Sequence, residues 1–562
     1  MAQSSNALNI ENSQPPGDVA GGTAHGPLRT ILLRVPLHWI IGVLLCIAAL
    51  AFNLYHLGRP SIWFDEAFSV ELARQPLPLL WHIIFGPEPN MELYYLFLHF
   101  WLAITGALGL HPTEVVVRLP SVICAALSTV FVFVLGRRYL GLIGATMAAT
   151  LYLLNDLQLI YAQQTRSYAL QLLLICIAWY ALCAALTEKV RTRRWWIVYV
   201  VAMALAVYAH LFSMLILLAQ VVAFAGLLLL PNAWRVGARK QIIAFGSSLV
   251  AIGVLIIPML LESRQGAKTG WLTVPHFNDL TYLFVMISGD SKRYLYAITA
   301  CAVLGVLVLF VAYVLYLVPA LRRPLPLKSS VDAALADYQR YLPFAWSLLC
   351  WFVIPLVVSY VVSHGSLRLF STRYLVVIVP PLCLLIALGV VVLRWRILQA
   401  LLALILLVLA VMAVPQYYRS AQVEDWNSTS HWMLQRYQAG DGLVCYDNEI
   451  TQGCQIAVEY YLHAYPNGAH FTPDTPGAFS WQNYGPADPR AGYNAALDPA
   501  ALAAFATQHP RFFFIVGRVP TDAAAARVQS IQHWLDAHYH FVDQVVMRTV
   551  TIRLYETAPH KG

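Results

Sequence analysis

Two adjacent carboxylates, Asp65 and Glu66, are the first residues of the sequence whose type and position suggest chemistry. They closely follow a long apolar run, and charged groups beside a membrane span are costly unless they have a function or a partner. Neighbouring side chains on a helix do not share a face, so one carboxylate can point into a site while the other points elsewhere. The structural alternative is that Asp65 caps a helix and Glu66 favours its first turn.

Two later stretches place arginines among aromatic and polar residues. The candidates for substrate binding in them are Tyr161, Gln164, Arg166, Tyr168, Arg368, Arg373 and Tyr374. A guanidinium group matches the geometry of phosphate oxygens, although an arginine can also snorkel to a membrane interface. His210, at a tight turn between two apolar runs, is a further candidate, with an interfacial residue as the alternative. A carboxylate base with arginines suits group transfer from a lipid phosphate.

The composition requires lipid as the solvent for much of the chain. Of 562 residues, 59% are hydrophobic and only 11% are charged, and the mean hydropathy is +0.63. A soluble domain carries about 25% charged residues. The net charge of +8 is best explained by basic cytoplasmic loops, so nucleic acid is not an expected partner.

Apolar runs of roughly 20 residues predict a polytopic α-helical protein with about 11 transmembrane helices. The runs lie at 31–57, 118–136, 140–160, 168–187, 195–210, 212–230, 242–261, 296–319, 342–363, 373–393 and 396–415. Residues 91–108 are apolar too, but Glu92 and His99 within them favour a helix lying flat at the interface.

Basic residues decide the orientation. They cluster at 137–138, 189–194, 235–240, 322–328 and 394–396. If residues 91–108 do not span, every cluster falls on one side, as the positive-inside rule requires. The sequence therefore predicts a cytoplasmic N-terminus and a C-terminus on the outer side of a bacterial-type inner membrane.

Three regions follow from this topology. They are a disordered cytoplasmic tail at 1–29, a transmembrane catalytic domain at 30–415 with outer segments 58–117 and 263–295, and a soluble α/β domain at 416–562 on the periplasmic or extracellular side. Strands are expected at 442–446, 511–516 and 541–555, and helices near 427–438, 498–508 and 521–537. Cys445 and Cys454 could form a disulfide in an oxidising compartment, which the sequence leaves open.

Four stretches of the sequence resemble motifs of the GT-C superfamily of integral membrane glycosyltransferases and follow one another in the same order. The resemblance is strongest to the branch that holds the protein O-mannosyltransferases and the lipid A aminoarabinose transferase. The stretches are Trp63–Ala67, Arg118–Ser121 with Gly136–Arg138, Tyr161–Tyr168, and Arg373-Tyr374 with Pro380-Pro381. The likeness covers roughly residues 30–460. Each motif is weak by itself, and the ordered set is specific.

The resemblance implies a GT-C-like fold, a polyprenyl-phosphate sugar donor and inversion at the anomeric carbon. It implies that Asp65 is the catalytic carboxylate, with Glu66 beside it, and that Arg166 and Arg373 hold phosphate or sugar. The acceptor, which could be a lipid, a glycan or a protein, is not specified.

Two departures bear on a metal cofactor. The family often has Glu where this chain has Gln164, and that acid can help to bind a divalent ion, so a metal is in doubt. Glu92 stands where the family tends to have proline, and it is a candidate replacement for the missing acid. A transporter or lipid flippase, and a catalytically inactive relative, are the alternative functions.

Overall fold

A computed structural model describes residues 36–263, 269, 272–318, 335, 338–393, 395–446, 451–484, 495–519 and 521–557. The predicted tail at 1–29 and the basic cluster at 322–328 lie outside the described residues. The chain divides into two compact units, Met1–Ile41 and Gly42–Gly562. In the first unit, the described residues form the opening turn of helix α1. The second unit contains every other element.

The described chain is mostly helical. In chain order the helices are α1 (Leu37–Leu54), α2 (Phe64–Ala73), α3 (Leu77–Ile84), α4 (Glu92–Ala107), α5 (Glu114–Leu153), α6 (Asp156–Ala162), α7 (Tyr168–Thr187), α8 (Thr192–Ala209), α9 (Ser213–Leu229), α10 (Arg235–Lys240), α11 (Ile242–Glu262), α12 (Phe277–Ile287), α13 (Lys292–Leu317), α14 (Leu342–Val362), α15 (Val379–Val391), α16 (Arg396–Ser420), α17 (Trp426–Arg436), α18 (Thr451–Ala464), α19 (Pro499–Ala506) and α20 (Asp522–His538). A short 3₁₀ helix, Tyr374–Ile378, leads into α15.

Eight helical segments within the described ranges are long and apolar enough to cross a membrane. They confirm a multi-pass membrane protein, but the predicted count of about 11 spans is not confirmed. Two predicted spans merge into the 40-residue helix α5, which is broken at Gly141, where φ is +80°. Glycine adopts this backbone conformation without the penalty that a side chain imposes. Helices α8 and α9 match the spans predicted at 195–210 and 212–230, and α9 has only 17 residues.

The outer segment between α1 and α5 folds into three short helices. Helix α4 corresponds to the apolar run at 91–108, and it exposes Phe100, Ile104 and Leu108 along one side. An exposed apolar stripe on a helix that follows polar turns supports the prediction of an interfacial position.

The C-terminal region contains the predicted small sheet. Its strands are β1 (Gly442–Tyr446), β2 (Arg511–Val516), β3 (His540–Met547) and β4 (Val550–Glu556). Their order is β1-β2-β4-β3, with β1 and β2 parallel and the other pairs antiparallel. The first two strands were predicted with these bounds. The run at 541–555 is a hairpin rather than one strand, because it turns at Thr549, where φ is +63°.

One hydrophobic core joins the C-terminal region to the outer segment. Helix α18 packs on α2, and both belong to a single cluster of buried side chains. The hydroxyl of Tyr461 accepts a hydrogen bond from the Ile62 backbone N–H (3.0 Å) and donates one to Glu114 (3.0 Å). The domain boundary predicted at residue 416 stays a prediction.

The open question about the two polar-region cysteines has an answer in the structure. Cys445, at the end of β1, and Cys454, in α18, form a disulfide, with their Cα atoms 5.7 Å apart. The bridge ties the edge of the sheet to the helix that rests on α2.

Candidate active site

The start of α2 sets the directions of the two adjacent carboxylates. Trp63 is the N-cap residue and has extended backbone angles (φ −105°, ψ 168°), so Asp65 and Glu66 both lie in the first helical turn. Asp65 is therefore not the cap, as the structural alternative had it. The two side chains point apart, as expected of neighbours on a helix.

Glu66 is fully buried, and both of its oxygens are bonded. The Arg118 guanidinium donates to them in a bidentate pair, with Nε–Oε1 at 2.9 Å and Nη2–Oε2 at 2.7 Å. The Thr165 backbone N–H donates to the same Oε1 at 2.7 Å. The sequence predicts a catalytic role for Glu66, but these contacts favour a positioning role, since no oxygen is left for a substrate.

Arg118 also fastens the chain between α1 and α2. Its two terminal nitrogens donate to the backbone carbonyls of Leu57 (2.9 Å), Pro60 (2.7 Å) and Ser61 (3.1 Å). The pair of Arg118 and Glu66 thus joins three distant segments, namely the 57–61 turn, α2 and the loop that carries Arg166.

Asp65 points to the other side, where the structure brings two predicted arginines together. Its Oδ2 lies 2.8 Å from Nη1 of Arg373 and 3.8 Å from Nη2 of Arg166. The carboxylate is 20% exposed, so a ligand can reach it. A carboxylate and two guanidinium groups, from three separate parts of the chain, therefore meet at one point.

Arg166 is rigidly placed. Its Nη1 donates to the Asp65 backbone carbonyl and to the Ser69 hydroxyl, both at 3.1 Å, and the residue is buried. Arg373 is more open, with 26% of its side chain exposed, and it lies over the Trp63 ring at 5.7 Å. The two cations therefore differ in exposure, and Arg373 is the more accessible of them.

The predicted aromatic residues form a wall beside these charges. Ring centroids lie 4.7 Å apart for Tyr161 and Tyr168, 5.5 Å for Tyr168 and His210, and 4.9 Å for His210 and Tyr374. Four site residues predicted from separate stretches are thus in one contiguous cluster.

A cavity of about 360 Å³ opens next to this wall. His210 and Tyr374 line it together with Asn90 and mainly apolar side chains, among them Phe212 and Leu260. Its chemistry suits an apolar chain that ends in a polar group near the two arginines.

Three predicted residues have no described side-chain contact with the cluster. Arg368 donates from Nη1 to the backbone carbonyls of Ser363 (2.7 Å) and Gly365, within its own loop. Gln164 supplies its backbone carbonyl to the Arg166 N–H (2.9 Å), and its side-chain oxygen is buried without a described partner.

Glu92 is the third. It is 1% exposed, and neither carboxylate oxygen bonds to a described residue. Burial raises the pKa of Glu92 to about 8, and the nearby Glu88 carboxylate adds to the shift. The hypothesis that Glu92 replaces the missing acid stays a prediction.

Sequence reasoning missed Glu88 and Tyr95. The Tyr484 hydroxyl, from the C-terminal region, donates to Glu88 at 2.8 Å. Tyr95 is fully buried, and its hydroxyl has no described hydrogen-bond partner. Burial raises the pKa of Tyr95, and the Glu88 and Asp65 carboxylates raise it further, so the phenol lies within electrostatic reach of both. In the sequence, Glu92 was the candidate residue nearest to these two.

The described residues include no ready-made site for the divalent metal that the resemblance allows. No three His, Cys, Asp or Glu side chains among them are placed to share an ion. The one accessible carboxylate of the cluster, Asp65, faces two guanidinium groups, whose positive charge opposes a cation.

Residues 95–261 match the family model described as dolichyl-phosphate-mannose-protein mannosyltransferase. Two crystal structures of ArnT from Cupriavidus metallidurans share the fold. The apo structure is 12% identical, with a TM-score of 0.53, and covers 92% of this chain and 97% of that chain. The structure bound to undecaprenyl phosphate is 13% identical, with a TM-score of 0.52, and covers 94% and 99%. No curated protein sequence matches the chain.

The chain therefore shares the fold of ArnT over most of its length, and its residues 95–261 are similar to the family of dolichyl-phosphate-mannose-protein mannosyltransferases.

Proposed function

We propose that this protein transfers a sugar from a polyprenyl-phosphate donor to an acceptor hydroxyl at the outer face of the inner membrane. The observation that carries the proposal is the meeting of Asp65 with Arg373 and Arg166 beside a mainly apolar cavity. Base, phosphate-binding cations and a place for a lipid chain are the three parts that such a transfer needs.

In the proposed reaction, Asp65 accepts the proton of the acceptor hydroxyl while that oxygen attacks the anomeric carbon. The bond between this carbon and the phosphate oxygen breaks, and its electron pair leaves with polyprenyl phosphate. Attack from the face opposite the leaving group inverts the anomeric centre. The proton resides on Asp65 until water takes it.

Arg166 and Arg373 stabilise the charge that develops on the departing phosphate. A guanidinium group can bind two phosphate oxygens at once. In the structure, Arg373 contacts only one oxygen of Asp65, at 2.8 Å. Donor phosphate would therefore compete with Asp65 for Arg373, and its binding would release the carboxylate to act as a base.

The cavity beside His210 and Tyr374 is where we place the start of the prenyl chain. Its lining is mainly apolar, and it adjoins the residue next to Arg373. A protein of the same fold, ArnT, has been crystallised with undecaprenyl phosphate, which agrees with a lipid-phosphate ligand for this fold.

The location on the outer side rests on charge and redox chemistry. The basic clusters fall on one face under the predicted topology, and the Cys445–Cys454 disulfide fits an oxidising compartment. The acceptor could be a lipid, a glycan or a protein.

We assign the other predicted residues less direct roles. Glu66 holds the Arg166 loop, while Tyr161, Tyr168, His210 and Tyr374 shape the site. Arg368 braces its own loop, Gln164 supports Arg166 through its backbone, and Glu92 is a neutral buried group. The mechanism has no step through a metal, so a chelator should leave the rate unchanged.

The test is release of labelled sugar from a panel of polyprenyl-phosphate sugars, using the full chain purified in detergent. Turnover without a second compartment, sensitive to removal of Arg373, would support the enzyme over a transporter or flippase. Binding of donors without any release, with acceptor extracts present, would favour an inactive relative.

A further inference from the structure

A second polar cavity, of about 470 Å³, lies at the far end of α2 from Asp65. Its polar lining is basic: Arg74, His99, His111 and His463 contribute side chains, and no acidic side chain of the described residues lines it. Three separate elements supply these groups, since Arg74 ends α2, His99 lies in α4 and His463 lies in α18.

His463 is oriented by a buried acid behind it. Its Nδ1 lies 2.8 Å from Oε2 of Glu71, whose side chain is 2% exposed. The carboxylate can only accept, so Nδ1 carries the proton and Nε2 is left for another partner.

His99 is fixed in the same way. Its Nδ1 donates to the Ala73 backbone carbonyl at 2.7 Å, and no described residue bonds to its Nε2. Both imidazoles are therefore held by one nitrogen and offer the other, in a cavity that they line.

A metal ion is not the fitting ligand. The described His, Cys, Asp and Glu residues include no set of three arranged to hold one. Arg74 lines the cavity with 31% of its side chain exposed, and its Nε lies 3.7 Å from Oε2 of Glu71, the same acid that orients His463. Three imidazoles and a guanidinium group instead match an anion with several acceptor oxygens.

The rim of the cavity is apolar on one side. Leu110 belongs to the lining and is 50% exposed, and the exposed stripe of α4 at Ile104 and Leu108 continues from it. Such a surface suits a lipid chain beside a polar headgroup. The nine residue steps from Asp65 to Arg74 place the cavity about 14 Å from the proposed base.

We propose that this cavity is a second anion site, which binds a phosphate-type group independently of the proposed donor site. Arg74 and His111 bind the oxygens from the open side, and the Nε2 atoms of His99 and His463 are further hydrogen-bonding partners for the bound group. A membrane-lipid headgroup and free phosphate share this chemistry.

The test is titration of inorganic phosphate into the full chain, purified in a maltoside detergent, at pH 6.5. The Arg373→Gln background weakens the proposed donor site, so the remaining binding reports on the second cavity. Adding Arg74→Gln and His111→Gln should raise the dissociation constant about tenfold or more, because two charge-assisted contacts are lost. Both side chains are partly or fully exposed, so these variants should fold.

Two controls separate site loss from general charge loss. Arg74→Lys should keep most of the affinity. Arg436→Gln, which removes a similarly exposed arginine in the C-terminal region, should leave the affinity unchanged. Loss of all phosphate binding with Arg373→Gln alone, or no further change on adding Arg74→Gln and His111→Gln, would overturn the proposal.

A parallel titration with soluble dihexanoylphosphatidylglycerol tests whether the bound phosphate group belongs to a lipid headgroup or to a free anion. Binding at least tenfold tighter than that of inorganic phosphate, and lost in the same variants, would identify a lipid headgroup. Equal affinity that is lost in the same variants would identify a free anion. Lipid binding that the variants do not change would count against the site.

Discussion

Asp65 has contacts that make its proposed function conditional. Its Oδ2 contacts both Arg373 and Arg166, so its charge is engaged inside the protein. If donor phosphate draws Arg373 away, the carboxylate becomes a better base at the moment when the sugar arrives. At the residue scale, the site is then a switch between an internal ion pair and a substrate complex.

The first prediction concerns Arg373, and Arg368, which lies nearby in the sequence, serves as its control. Arg373→Gln should raise the KM for the donor about tenfold and also lower kcat, because one charge-assisted contact to phosphate is lost. Arg368→Gln should change either constant less than twofold, since Arg368 donates to its own loop. Equal effects of the two substitutions on initial rates would contradict the assignment.

Glu92 gives a second prediction, on stability. The pKa of Glu92 is raised to about 8 in the folded chain from an ordinary 4.5, so the folded chain keeps a proton that the unfolded chain loses. Stability should therefore fall as pH rises from about 4.5 to about 8, by up to about 1.4 kcal/mol per pH unit, and then level off.

Glu92→Gln removes this titration. In melting curves from pH 5 to pH 9, the variant should gain on the wild type as pH rises. Parallel curves for the two proteins would refute the buried neutral acid, and loss of activity at constant stability would restore Glu92 to the site.

At the scale of elements, a buried ion pair holds the site together. Glu66 on α2 binds Arg118 on α5 and the backbone of Thr165, and Arg118 also binds the 57–61 turn. The loop with Arg166 therefore takes its position from the residue next to Asp65. Two adjacent carboxylates thus divide the work between chemistry and support.

The third prediction separates these roles. Glu66→Gln leaves the buried Arg118 charge unpaired, which should cost about 3–5 kcal/mol of stability and lower the melting temperature. Asp65→Asn, on a partly exposed side chain, should melt close to the wild type. A larger loss of stability in Asp65→Asn than in Glu66→Gln would reverse the assignment.

Several of these features could be predicted from the sequence, for physical reasons. Asp65, Arg166 and Arg373 stand out because charges are rare in an apolar chain. Strands β1 and β2 were predicted because short apolar runs between turn signals are distinctive. The partners of Glu66 and Glu88 could not be predicted, since those contacts join residues about 50 and 400 positions apart, and no local pattern encodes them.

At the scale of the whole molecule, the C-terminal region packs on the segment between α1 and α5. Tyr461 bonds to Ile62 and Glu114, and Tyr484 bonds to Glu88, so both reach segments of the outer loop near the site. The disulfide at Cys445 and Cys454 fixes the helix that carries Tyr461. The region is thus a structural part of the site's surroundings rather than an appendage.

The fourth prediction tests its location. In spheroplasts, a membrane-impermeant thiol reagent should label Cys445 and Cys454 only after reduction, because the disulfide lies outside. The other seven cysteines lie in apolar runs, and the Cys445→Ser/Cys454→Ser variant should stay unlabelled. Labelling that requires membrane lysis would place the C-terminal region inside and contradict the topology.

The central claim is that Asp65 is the base, and the most direct test compares wild type, Asp65→Asn and the surface control Asp543→Asn. Each is assayed for donor binding and for single-turnover sugar transfer. We predict that Asp65→Asn binds donor at least as well as the wild type but transfers sugar about 10²–10⁴-fold more slowly, while Asp543→Asn behaves as the wild type. Transfer by Asp65→Asn at the wild-type rate would contradict the account.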